Sequence, residues 1–123
     1  MNIFGIHERA LYLRSRRSDV LASNIFNAAT PHFKARDINV ESVLQPDGAS
    51  LPLATTRSSH MPSAEADDYA ALYRQPLKQS LDGNTVDAAY EQVQFADNAV
   101  QYRATLSFIN SRITTVRRAL RGE

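Results

Sequence analysis

The chain has no cysteine and no tryptophan. Without cysteine it has no disulfide framework, no thiolate zinc site and no sulfur nucleophile. That leaves the redox compartment open, although it suits a protein that never needs oxidative folding. Glycine occurs only four times in 123 residues, which excludes collagen-like and glycine-rich linker classes. No apolar run approaches the ~20 residues of a membrane-spanning helix. A cleaved secretory leader is not expected either, because Gly5, His7, Glu8 and Arg9 break up the start, Met1–Leu13. Enzyme signatures are missing too: there is no glycine-rich phosphate loop and no serine nucleophile elbow. His7, His32 and His60 lack HxxxH or HExxH spacing. His60 lies near Glu65, Asp67 and Asp68, but a proline-flanked loop is a poor place to hold acid–base groups. We therefore expect no enzyme, no metal, no cofactor and no small-molecule substrate.

Charge is nearly balanced, at net +1, but unevenly distributed. Both ends are basic, with Arg9, Arg14, Arg16, Arg17, Lys34 and Arg36 in the first part and Arg112, Arg117, Arg118 and Arg121 in the last. The stretch between is acidic, from Glu41 through Asp67 and Asp68 to Asp97. Basic ends and an acidic middle suit either nucleic acid or the packing of charge against charge between subunits. Arg16 and Arg17 point to different sides of a helix, and no aromatic platform accompanies them. A solvated or ion-paired helix face is therefore the expectation, and nucleic acid is not an expected partner.

The strongest positive pattern is at the C-terminus. Phe95, Ala99, Tyr102, Leu106, Ile109, Ile113, Val116 and Leu120 alternate four and three apart, an unbroken a/d heptad. No proline or glycine falls between Val86 and Arg121. A helix over about 85–121 is predicted, with Asn84 or Thr85 as its cap, Asp87 in its first turn and arginines in its last. A second helix is predicted over about 5–28. Its stripe includes Leu13, Val20, Leu21 and Ile25, interrupted by Arg17 and Asn24. Thr30-Pro31 ends it, because the residue before proline is pushed out of the α region. Residues 31–84 read as an irregular or flexible middle. Its local signals are the alternation of Ile38 and Val40 with polar residues, a helical turn at Glu41–Leu44, an extended piece at Leu53–Thr56, a helical turn at Asp68–Tyr73 and a tight turn at Leu81–Asn84. The fold expected is thus mainly α: one domain, 1–123, whose terminal helices form an antiparallel coiled-coil unit. The N-terminal stripe is too poor in apolar residues to cover the C-terminal seam fully. Tyr90, Val93, Val100 and Phe108 also lie off that seam, so further burial against neighbouring subunits is expected. Asn24 and Asn27, in an otherwise packable helix, suit either helix-end chemistry or the fixing of register.

Three blocks carry a resemblance. Leu21–Asp37, LASNIFNAATPHFKARD, resembles the N-terminal signature LAxNIANAxTPGYxAR of the flagellar rod and hook protein family. Leu53–Pro62 resembles a Thr-x-x-x-His stretch of rod proteins, here Thr56 to His60. Ser80–Asp87, SLDGNTVD, with Glu91, Phe95-Ala96-Asp97-Asn98 and Tyr102 beyond it, is similar to a signature near the C-terminus of rod proteins. The family's TPGY is Thr30-Pro31-His32-Phe33 here, so an easy positive-φ residue is lost and the loop after Pro31 is expected to differ in conformation. The resemblance implies a structural component of the proximal rod of the bacterial flagellar basal body. Such a protein spans the periplasm as part of the rod and is exported through the flagellar type III apparatus without a cleaved signal. Its implied partners are further copies of itself, FlgC, FlgF, FliE and the export apparatus. It also implies a packing role for the two stripes, Asn24 and Asn27 included, and a corner built from Thr30, Pro31, Asp82, Gly83, Asn84, Val86 and Asp87. Read from residues alone, a cytoplasmic coiled-coil adaptor or a small basic nucleic-acid-binding protein stays open as an alternative.

Overall fold

A computed structural model of the chain describes residues 4–44, 71–76 and 80–122. In chain order the elements are α1 (Gly5–Phe26), β1 (Arg36–Asp37), α2 (Val40–Leu44), β2 (Leu72–Tyr73) and α3 (Ala88–Arg121). The architecture is mainly α. The two long helices lie side by side and antiparallel: Asn24 meets Glu91, Arg14 meets Gln101 and His7 meets Phe108. The extended piece foreseen at Leu53–Thr56, and the Thr56–His60 stretch, lie outside the described residues.

α1 stops at Phe26, two residues short of the sequence expectation. Asn27 closes the last turn with its own chemistry, since its backbone N–H and its side-chain Nδ2 both donate to the Ser23 carbonyl, at 3.1 and 2.8 Å. α3 has 34 residues, about 51 Å at 1.5 Å per residue. Its N-cap is Asp87, whose side chain accepts from the Tyr90 N–H at 3.3 Å, and not Asn84 or Thr85 as the sequence suggested. Those two side chains are engaged elsewhere, as described below. Gly122 ends α3 in the left-handed conformation, φ 75°, with Arg118 and Arg121 in the last turn beside the exposed carbonyls.

The helical turn expected over Asp68–Tyr73 is replaced, where described, by strand β2. It pairs antiparallel with β1 in the register Arg36↔Tyr73 and Asp37↔Leu72, and the Arg74 N–H extends the ladder to the Ala35 carbonyl at 2.9 Å. Side chains favour this pairing: the Arg36 guanidinium lies 4.7 Å above the Tyr73 ring and bonds its hydroxyl.

The buried apolar cluster centres on Leu13, Ile38 and Val40, with Val20, Val43, Leu44 and Ala71 packed around it. α1 thus lays much of its apolar stripe against the chain that follows it. What remains for α3 is a more polar side. The residues of α3 that are buried are Glu91, Asn98 and Thr105, seven apart. The heptad seam lies on the order of 70° round the helix from that stripe, at 100° per residue. Phe95 and Leu106 are 39% and 38% exposed, and Leu120 is 85% exposed.

Candidate functional site

Three features concentrate the folded chain's chemistry: a corner joining the long helices, a charged network between them, and an apolar face that neither covers.

The corner is organised by Asn84, which is buried. Its Nδ2 donates to the carbonyls of Asn27, Ala28 and Thr30 at 3.1, 3.0 and 2.8 Å. These carbonyls lie in the turn just beyond α1, where that of Asn27 also accepts the Thr30 N–H at 3.0 Å. Asn84 Oδ1 accepts from the Val86 N–H at 2.7 Å, and its own N–H donates to Asp82 Oδ1 at 3.0 Å. One carboxamide therefore ties the end of α1 to the lead-in of α3. Thr85 adds a second tie, donating its N–H to the Phe33 carbonyl and accepting the Ala35 N–H on Oγ1. His32 takes φ 61°, the left-handed conformation that glycine adopts without steric cost. Its N–H bonds the Asp82 carbonyl at 3.0 Å. Gly83 also has positive φ, 74°, and a Cβ there would stand 2.8 Å from His32 Nδ1. Lys34 Nζ reaches the Gly83 carbonyl at 2.7 Å. Pro31 is exposed, while Thr30 Oγ1 donates to Asn27 Oδ1 at 3.1 Å. The Ser80 side chain and then the Asn84 N–H hold the exposed Asp82 carboxyl below its ordinary range.

The network begins at Asp37. Arg17 grips it through Nε at 2.8 Å and Nη2 at 3.1 Å, and also reaches Gln94 Oε1 at 2.9 Å. Arg74 Nη2 donates to Asp37 Oδ2, which Arg17 Nη2 also holds, at 2.8 Å, while its Nη1 bonds Glu91. Burial alone would push the Asp37 carboxyl up. Hydrogen bonds from Arg17 and then Arg74 outweigh it and hold the group below its ordinary value. Asn24, also buried, donates to the Arg36 carbonyl at 2.7 Å and to Glu91 Oε2 at 3.1 Å, and accepts the Arg36 N–H at 3.2 Å. Further along, Asn98 Nδ2 donates to the Arg14 carbonyl and to Ser18 Oγ, at 2.8 and 2.7 Å.

The sequence-derived packing residues thus divide. Leu13, Leu21 and Asn24 are buried, and Val20, Ile25 and Asn27 are half-buried. On α3, Ala99, Tyr102 and Ile109 are half-buried, whereas Phe95, Leu106, Ile113, Val116 and Leu120 are exposed. The exposed seam residues share one side of α3, which is therefore apolar and open to solvent; Val93, Val100 and Phe108 are exposed too, but on other sides of the helix. Sequence reasoning did not single out Arg74, and it read Arg17 as an interruption of the stripe on a solvated or ion-paired face without naming Asp37 as its partner. Their partners are distant in sequence, and no local pattern marks them. Glu91 and Asn98 did stand inside a motif block, and that was the available signal. Among the described residues no group of three or more His, Asp or Glu is placed to hold a metal ion. No helix among them is long and apolar enough to cross a membrane.

No family model matches the chain. Curated relatives match nearly all of it. A flagellar basal body rod protein FlgB of Cereibacter sphaeroides is 45% identical over 97% of this chain and 94% of that protein. The FlgB of Aeromonas hydrophila is 44% identical over 98% of this chain and 93% of its own length. That of Salmonella typhimurium is 39% identical over 94% and 90%. With identity at this level running the length of both chains, and through the three motif blocks, the chain belongs to the flagellar basal body rod protein FlgB family.

Proposed function

We propose that this chain is a structural component of the proximal rod of the bacterial flagellar basal body. In this reading it assembles through its terminal helices, with further copies of itself and with FlgC, FlgF and FliE, into a tube. The tube transmits torque and encloses the export channel. The protein reaches its place in the periplasm-spanning rod through the flagellar type III export apparatus, without a cleaved signal. It works as a single unit, and its work is packing, not chemistry.

The observation that carries the reading is the open apolar face of α3. Glu91, Asn98 and Thr105 meet α1, while Phe95, Leu106, Ile113, Val116 and Leu120, together on the heptad seam, remain exposed on a helix about 51 Å long. A contiguous apolar face of this kind marks an interaction surface. A long face open at both ends suits head-to-tail contacts, which propagate into helical arrays instead of closing into a dimer.

The test is complementation of a chromosomal deletion, scored by swimming and by imaging of isolated basal bodies. Wild-type chain should restore rods, and Leu106→Asp should not, although it should still be made and exported. Intact rods in the deletion strain, or in the Leu106→Asp strain, would count against the proposal.

A further inference from the structure

We propose that Arg74 is a register key: by neutralising Glu91 it makes one alignment of α1 on α3 far more favourable than its neighbours. Glu91 is 1% exposed and sits between the long helices. Its contact from α1 is neutral, the Asn24 carboxamide at 3.1 Å. Its counter-charge comes from outside the helix pair, from Arg74 at the end of β2. Arg74 is held in place by the Ala35 carbonyl, by Asp37 and by the Tyr90 ring, 5.0 Å from its guanidinium carbon.

The two carboxylates that Arg74 bridges are not equivalent. If Arg74 leaves, Asp37 keeps both bonds from Arg17 and the Ile38 N–H at 2.7 Å. Glu91 keeps only a neutral amide among the contacts described. A buried carboxylate without a cation is strongly unfavourable, so loss of Arg74 falls on the helix pair. The coupling is reciprocal: Arg74 finds its two anions together only when α3 is aligned so that Glu91 lies beside Asp37.

This matters because the apolar pattern cannot choose the alignment. The seam does not face α1 and repeats every seven residues, so it looks alike after α3 slides by seven. The polar stripe repeats with the same spacing, as Glu91, Asn98 and Thr105, but its members differ in charge. A slide that brings Asn98 opposite Asn24 leaves Arg74 with Asp37 but offers it no second anion. The charge of Glu91, read by an arginine from a third element, removes this seven-residue ambiguity along the paired helices, in addition to the corner ties of Asn84 and Thr85.

The experiment uses the full-length chain carrying Arg74→Ala, Glu91→Gln, or both. Amide hydrogen exchange measures the helix pairing. Because the natural chain has no cysteine, a short bismaleimide can report alignment between His7→Cys and either Phe108→Cys (native) or Thr115→Cys (slid by one heptad). Arg74→Ala should lower protection in both α1 and α3 at least tenfold, and adding Glu91→Gln should restore most of it. Glu91→Gln alone should keep the protection but cross-link residue 115 at the expense of 108. The proposal is overturned if Arg74→Ala leaves protection unchanged, if Glu91→Gln fails to restore it, or if Glu91→Gln retains the native cross-link preference. It is equally overturned if the unsubstituted chain shows no protection in α1 and α3.

Discussion

Asn84→Ala removes a carboxamide that serves both long helices at once. In the folded chain its Nδ2 is shared among three carbonyls at 2.8–3.1 Å, and its Oδ1 takes the Val86 N–H at 2.7 Å. Two N–H groups and one acceptor amount to about three net hydrogen bonds at roughly 0.5–1.5 kcal/mol each. The site is buried, so water does not simply replace the lost partner. The loss should therefore come to about 2–4 kcal/mol, toward the upper part of that range if the three carbonyls stay dry. For a chain of this size that corresponds to roughly 10 °C in Tm. With no tryptophan to report unfolding, far-UV circular dichroism during urea and thermal denaturation is the suitable assay. Asn84→Asp sharpens the test: it keeps the shape but turns an anionic acceptor toward three carbonyls, so it should be at least as damaging as alanine. An alanine variant within about 0.5 kcal/mol of wild type, the range of an ordinary surface substitution, would refute the reasoning. So would an aspartate variant more stable than the alanine one.

Gly83→Ala should cost about 1–2 kcal/mol, because φ 74° disfavours any Cβ and this one would press on His32; an unchanged urea midpoint would contradict it. The folded state holds the Asp37 carboxyl below its ordinary value, so its contribution is complete above about pH 4 and is lost as pH falls through the folded value. Asp37→Asn should accordingly flatten the acid limb of the stability–pH curve, and acid limbs of the same steepness would show that other carboxylates set it. Asn24→Leu should destabilise the pair by about 2–3 kcal/mol, since it leaves the Arg36 peptide and Glu91 without their buried amide partner; denaturation measures this, and an equal or higher stability would contradict it. Leu106→Asp lies on the open seam with 38% of its surface exposed, so it should cost the monomer only about 1–2 kcal/mol, read by urea denaturation, while abolishing rod assembly.

The long helices could be read directly from the chain. Runs without proline or glycine, together with Thr30-Pro31, placed α1 and α3 within a few residues of their observed limits. The cap of α3 was harder to place. Asn84, Thr85 and Asp87 are all good caps, and only tertiary bonds to Asn27, Ala28, Thr30 and Ala35 withdrew the first two from that role. The corner was legible as a turn motif, but not as the junction of two helices, because Asn84 lies more than fifty positions from the carbonyls it binds. Arg74 carried no local signal. Its chemistry depends on strand β2 returning to β1, a pairing of two residues on each strand that no periodicity reveals.

Local chemistry along the chain was enough to settle its helical character, its freedom from disulfides and the spacing of its apolar seam. Periodicity depends only on the residues in the helix itself. Which way the seam faces was a different question, decided only in the folded arrangement. Leu13 and its neighbours are covered by Ile38, Val40 and the residues around them, which leaves α1 offering carbonyls, Ser18 and Asn24 to α3. Glu91 and Asn98 fit that surface because a buried polar group must find partners, and theirs lie on α1 and at the end of β2. A leucine or phenylalanine tolerates partial exposure at far lower cost, so the apolar seam was the side left facing solvent.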